Sequence, residues 1–234
     1  MIHSGELRDR TPVATAASPS PYAVVGFWRN PFGELTRDER VRLAVVEAGP
    51  LLHYLHTTKT VTPARVPALQ FLGDCGYGKT TNLLVLESLL PGARRVYYPE
   101  TGPRPKLPLD SPVLIVDEAQ RMGWWRRREM LKYHGPLVIG THKDLTACLV
   151  QNGFAVWTID VAQSKPSHVV ADALNRRIAA SLLDVETLPT YRIEDALAGR
   201  LNERFSGNLR RMEAFLYDAF QSYVSESSAW PPVV

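Results

Sequence analysis

Residues 73–80 read Gly73-Asp74-Cys75-Gly76-Tyr77-Gly78-Lys79-Thr80 and match the pattern G-x-x-x-x-G-K-[ST] in full. These residue types suit the cradling of a phosphate chain. The three glycines admit backbone conformations closed to other residues and bring backbone N–H groups against phosphate oxygens. A helix starting near Lys79 would point its positive end at the same anion. Lys79 is placed to reach β- and γ-phosphates, and the Thr80 hydroxyl to ligate Mg²⁺. Asp74, Cys75, Tyr77 and Thr81 complete the candidate nucleotide-contacting run. A second element is Val113-Leu-Ile-Val-Asp117-Glu118. An aspartate ending a buried strand beside such a loop supports Mg²⁺, the role read for Asp117. Glu118, directly after it, can orient or deprotonate a water that attacks the γ-phosphate. Capping of the next helix is the plainer use of an Asp-Glu pair; the intact loop upstream favours the metal and water roles.

Three further features could serve the same centre. The apolar run PLVIGTH ends in Thr141 and His142, where a polar side chain at a strand tip could sense the γ-phosphate. A strand-end hydrogen bond is the alternative use of Thr141. Arg210, in Ser206-Gly-Asn-Leu-Arg210-Arg211, could reach over the phosphates from a helical lid or be a solvated helix charge. THKD is not the guanine reader N-K-x-D, because its lysine sits one place late, which argues against GTP. Cys75, inside the loop, could be a redox-sensitive thiolate stabilised by the phosphate-binding amides; a small filler residue is the favoured reading. The six histidines and two cysteines show no zinc-ligand spacing.

Elements must position these groups. VPALQFLGD reads as a strand before the loop, and KTTNLLVLESLL as a helix after it. ARRVYY, PVLIVDEA, PLVIGTH and FAVWTIDV read as four more strands. Met122 to Tyr133 and DLTACLVQNG, with Asp144 as its cap and Gly153 at its end, read as helices between them. Strands alternating with helices predict a parallel α/β sheet. The link 99–112 holds five prolines and cannot be helix. Before the sheet, Thr36 with Glu39 forms a capping box for a helix that runs through Val41, Val45 and Ala48 and closes at Gly49-Pro50. Leu51 to Thr58 reads as a second helix. After Val161 the apolar residues fall at helical spacing, with Val170, Leu174 and Ile178 on one face and Leu209, Met212, Leu216 and Phe220 on another. The expected organisation is a flexible leader over 1–20, a nucleotide-binding core over 21–163, a helical lid over 164–226 and a loose tail over 227–234.

The 234 residues are 45% hydrophobic and 22% charged, which suits a packed core and excludes wholesale disorder. Lys and Arg number 27 against 24 Asp and Glu, giving +3, so bulk charge neither requires nor excludes a nucleic-acid partner. Two cysteines make no disulfide framework. The first ten residues carry Glu6 and Asp9 and no apolar h-region, and no uncharged apolar run approaches the ~18 residues that span a bilayer. A cytoplasmic protein with no membrane partner is the expectation.

Taken in order, the loop, the Asp-Glu strand end, the polar strand tip, the fifth strand and a helical lid with G-N-L-R resemble an AAA+ ATPase. GDCGYGKTT and LIVDEAQRM look most like the bacterial transposition-helper and secretion-associated ATPases. The resemblance spans about residues 21–224. It implies a five-stranded parallel P-loop sandwich of order 5-1-4-3-2. It further implies Thr141 (or His142) as sensor 1, Arg210 as sensor 2, and FWRNPF at residues 27–32 as an adenine-wrapping segment. The chain departs from the family where DLTACLVQNG lacks the arginine that usually reaches a neighbouring subunit. Arg176 and Arg177 stand after the fifth strand as substitutes.

The function expected is Mg-dependent ATP binding and hydrolysis by a switch that regulates or assembles a protein partner, on double-stranded DNA or as a homo-oligomer or filament. Lys79, Glu118, Thr141 and Arg210 would carry the chemistry. The alternatives are a P-loop small-molecule or nucleotide kinase, and a non-hydrolysing ATP-binding adaptor. Trp124-Trp-Arg-Arg-Arg128 bears on the DNA question, because adjacent Trp and Arg can stack on bases and neutralise phosphates. The favoured expectation is that one Trp packs beneath the sheet and the arginines form a solvated helix face. Arg94, Arg95, Arg104 and Lys106 add positive charge nearby.

Overall fold

The computed structural model describes residues 20–61, 65–163, 165–226 and 230–232. Most of the expected leader therefore lies outside the described residues. The first half holds α1 (Arg37–Arg42), α2 (Ala48–Val61), β1 (Val66–Leu72), α3 (Lys79–Leu89), β2 (Arg94–Tyr97) and β3 (Leu114–Asp117). Then come α4 (Trp124–Leu131), β4 (Leu137–Thr141), α5 (Thr146–Gln151) and β5 (Phe154–Asp160). The chain continues through α6 (Ser167–Ala179), α7 (Leu188–Tyr191), α8 (Asp195–Arg204) and α9 (Leu209–Glu226).

The five strands pair in the order β2-β3-β4-β1-β5, all parallel. That is the expected order, and its cause is apolar patterning on two faces. Leu69, Phe71, Ile115 and Val138 meet Leu51, Leu55, Leu83 and Leu86 from α2 and α3. The alternate residues Ala68, Leu114, Val116 and Ile139 meet Met130 of α4 and Leu149 of α5. Strands covered on both faces read as continuous apolar runs. The β2–β3 crossover contains no helix; Tyr98 is fully buried within it and donates from its hydroxyl to the Pro105 carbonyl at 3.2 Å.

A third cluster fills the helical C-terminal part, with Val170, Leu174, Ile178, Leu201, Met212, Leu216 and Phe220 fully or almost fully buried. Phe27 and Phe32 belong to this cluster, not to the sheet. Phe27 lies edge-on to Tyr191 and Phe220 and pairs with Leu182 in an isolated bridge. The start of the expected core thus packs on the expected lid. Trp230, expected in a loose tail, packs against the same cluster and donates from its ring to the Tyr191 carbonyl at 3.3 Å.

The capping box at Thr36 and Glu39 is present. The helix it opens is shorter than expected, ending at Arg42, and Gly49-Pro50 does not close it. Those residues lie in the first turn of α2, where proline sacrifices no hydrogen bond. The intervening stretch leaves helical geometry, and the Arg176 guanidinium takes up the Ala44 carbonyl at 2.6 Å. Asp144 caps α5 one residue early, accepting from the Thr146 N–H at 2.8 Å.

Trp124 and Trp125 are 61% and 73% exposed. Neither packs beneath the sheet, so the packing expectation for this segment is overturned. The α4 side chain that packs into the sheet cluster is Met130, with Leu131 partly buried beside it.

Candidate active site

The glycine-rich loop joins β1 to α3. Gly78 has φ +93° and is the residue from which α3 starts. Gly76 also has φ +93°, and a Cβ there would meet the Asn208 side chain at 2.3 Å. Both positions therefore exclude side chains, the first by backbone conformation and the second by conformation and space. Lys79 is buried, with its ammonium on the loop's own carbonyls at Gly73 (2.6 Å) and Asp74 (2.9 Å). Burial pushes its pKa down, and the Glu118 charge is the largest effect opposing this.

Asp117 ends β3 and is completely buried. One carboxylate oxygen pairs with Arg95 at 3.2 Å, and Arg95 also pairs with Glu87 of α3 at 3.1 Å. The other oxygen, Oδ1, is buried without a hydrogen bond. Gly140 keeps the space before it open, since a Cβ there would lie 3.2 Å from this oxygen. Burial pushes the Asp117 carboxyl up, and Arg95 is the main group holding it ionised; the Thr80 hydroxyl also favours the charged form. An unpartnered buried carboxylate oxygen beside a threonine hydroxyl fits a Mg²⁺ site of this donor type.

Glu118 sits in the left-handed region at φ 59°, a conformation that costs a non-glycine residue about 1–3 kcal/mol and clusters at functional sites. Its carboxylate is held by Gln120 (2.6 Å), His142 (3.2 Å) and Arg121 (3.3 Å). Arg121 in turn reaches the Tyr97 hydroxyl at 3.3 Å. His142 also lies 3.4 Å from the Lys79 ammonium and 3.5 Å from Asp74. Thr141 is buried and spends its hydroxyl on the strand-end turn, donating to the Lys143 carbonyl at 2.9 Å and accepting from the Lys143 N–H at 3.0 Å. The strand tip therefore presents His142, rather than Thr141, to the centre.

The C-terminal helical part meets the loop directly. Asn208 donates to the Cys75 carbonyl at 3.0 Å, and Lys165 donates to the Tyr77 carbonyl at 3.2 Å. Cys75 itself is exposed. A cavity of about 680 Å³ opens between loop, lid and N-terminal segment; Tyr77, Gly78 and Thr81 line one wall and Phe32, Leu43 and Val45 another. Arg210, Leu209 and Tyr217 close it from α9. This volume lies within the range of small-molecule sites. Of the aromatics in FWRNPF, Phe32 alone lines the cavity.

Sequence reasoning missed Arg95 as a partner of Asp117, because an arginine on an edge strand reads as solvated charge. It also missed Gln70, fully buried in β1, whose amide donates to Asp144 at 2.7 Å and whose carbonyl accepts from Leu145 N–H at 2.8 Å, fixing the turn after β4. The substitutes for a trans arginine are both engaged within the chain. Arg177 is buried between the Pro31 and Gly33 carbonyls and Glu213, while Arg176 holds Ala44 and Asp172.

A five-stranded parallel sheet of this order, with a glycine-rich loop after β1 and Asp117 at the end of β3, has the AAA+ P-loop fold. Among solved structures, the chain is similar to Thermotoga maritima RuvB. A lysine-to-arginine mutant of that protein superposes with a TM-score of 0.50 at 16% identity over 78% of this chain and 63% of that one. A threonine-to-valine mutant gives 0.50 at 17% identity over the same shares. The chain thus spans less than two thirds of the RuvB chain's length. No family model and no curated protein matches it in sequence.

Proposed function

We propose that the protein binds Mg·ATP and hydrolyses it as a molecular switch. One observation carries this reading: the Glu118 carboxylate and the Lys79 ammonium meet the same imidazole, His142, beside the phosphate loop. A carboxylate so placed serves to orient and deprotonate a water, and a buried ammonium serves phosphate charge. Thr80 and Asp117 would hold Mg²⁺, which when bound supplies neutralisation of phosphate charge. On nucleotide binding, Lys79 exchanges its own loop carbonyls for phosphate oxygens. His142 loses one of its three charged neighbours, and Glu118 is freed toward the water. The base occupies the cavity between Phe32 and Tyr217, and Arg210 closes over the phosphates from α9. Contacts of Asn208 and Lys165 with the loop transmit the phosphate state to the lid, a two-state element of the kind switches use.

The output is the regulation or assembly of a partner protein. A second reading, an ATP-binding adaptor without turnover of its own, is supported by the engagement of Arg176 and Arg177 within the chain. Nucleotide binding by Lys79→Ala tests the shared part of both readings. Loss of ATP affinity by about tenfold or more is expected, since a charge-assisted contact is removed; unchanged affinity would contradict both.

A further inference from the structure

We propose that α4 and the Pro-rich crossover beside it form a binding face for single-stranded nucleic acid. Trp124 and Trp125 are adjacent, 61% and 73% exposed, with ring centroids 4.4 Å apart at 76°. At that angle each ring shields little of the other, so flat indole surface stays open to solvent. The Arg128 guanidinium lies 5.5 Å from the Trp124 ring centre. Two neighbouring open indoles forgo the favourable burial of a large apolar surface.

The surroundings are basic. Between Arg94 and Lys132 there are nine Lys or Arg against five Asp or Glu, a surplus of four in a chain whose whole surplus is three. All five acids are already engaged, two of them in the active site and three with Arg94, Arg121 and Arg126. Arg104, Lys106 and Arg128 are exposed and have no ion pair among the described residues. The crossover lies against α4: Tyr98 and Leu107 share one buried cluster with Met130.

Unpaired cations beside open indole faces match a ligand that carries phosphates and flat rings in alternation. Duplex DNA offers the phosphates but keeps its ring faces inside its own stack. An acidic peptide would meet the charges and leave the indoles unused. A single strand, whose bases can unstack, uses both.

The test is fluorescence anisotropy of a labelled, unstructured single-stranded oligonucleotide, without nucleotide, against the full chain and its Trp124→Ala and Trp125→Ala variants. The same oligonucleotide annealed to its complement and a poly-glutamate peptide serve as comparison ligands. The expected result is single-strand binding that weakens on raising salt, falls roughly five- to hundredfold per tryptophan removed, and exceeds duplex binding. Circular dichroism and unfolding temperature of the variants should match the parent, because both side chains are exposed. No binding, equal or tighter duplex binding, full competition by poly-glutamate, or unchanged affinity in both variants would each overturn the proposal. No turnover enters the assay, so the hydrolysis reading can fail without affecting it.

Discussion

His142 Nε2 lies 3.2 Å from the Glu118 carboxylate and 3.4 Å from the Lys79 ammonium, so one imidazole bridges the acid proposed to activate water and the lysine proposed to bind phosphate. The chain gains this bridge because β4 ends one residue earlier, with Thr141 folding its hydroxyl back into the turn. His142→Ala should lower phosphate release by about ten- to a hundredfold, as loss of a positioned polar group does, with ATP affinity changed less. Thr141→Val should instead cost about 1 kcal/mol of stability, the worth of a buried hydrogen bond, and leave turnover near the parent's. Steady-state kinetics with thermal unfolding of both variants distinguishes the two roles; the reverse pattern would restore Thr141 as the sensor.

Arg95 should prove essential to the state of Asp117. Its removal leaves a buried carboxylate without its charged partner, which costs several kcal/mol in fully buried pairs. Arg95 is 19% exposed on its side-chain surface, so about 2 kcal/mol is the expected loss in Arg95→Met. Mg·ATP should restore more stability to this variant than to the parent, because a bound cation would stand in for the missing charge. Unfolding temperatures with and without Mg·ATP decide it; equal gains in both proteins would contradict the pairing.

Much of this arrangement was legible from the chain alone. The turn between β1 and α3 announces itself through glycine spacing, and the strands through apolar runs that need cover on both faces. Asp117 stands at the end of a buried strand, as the apolar run before it implied, with Glu118 directly after it. The relations that escaped are long-range ones. Nothing local marks Arg95 as facing Asp117, 22 residues away, or Phe27 as packing on Phe220. The tryptophans misled because an aromatic pair in a helix ordinarily packs inward. Which helix face meets the sheet was decided by Met130, a weaker local signal. The break after Arg42 escaped because Gly-Pro serves equally at a helix end and in a helix's first turn.

Glu39 gives a pH-dependent test of the N-terminal segment. Its pKa is lowered to about 2, chiefly by the Arg29 guanidinium and then by the Thr36 backbone N–H. The folded value lies below the unfolded one, so its stabilisation is present above about pH 4.5 and is lost as pH falls toward 2. Glu39→Gln should therefore be less stable than the parent at pH 7, by about 1 kcal/mol or less because the pair is partly open to solvent. The two should converge near pH 2. Denaturant titrations at several pH values read this directly, and a pH-independent difference would contradict it.

Asn208 joins the C-terminal helices to the glycine-rich loop, donating to the Cys75 carbonyl at 3.0 Å and accepting the Arg211 N–H at 3.1 Å at the start of α9. Asn208→Ala should cost about 1–2 kcal/mol, a lost cap plus a lost bridge. Backbone amides of residues 73–78 should exchange hydrogen faster in the variant. Faster exchange confined to α9 would show that the residue caps its helix without steadying the loop.

The central claim is that this chain hydrolyses ATP with Glu118 as the water-activating group. Phosphate release from Mg·ATP, compared between the parent and Glu118→Gln at matched nucleotide saturation, tests it most directly. The account predicts measurable release by the parent and a drop of about a hundredfold or more in the variant, with ATP still bound. Release from Glu118→Gln at the parent's rate, or none from a parent that binds ATP tightly, would contradict it.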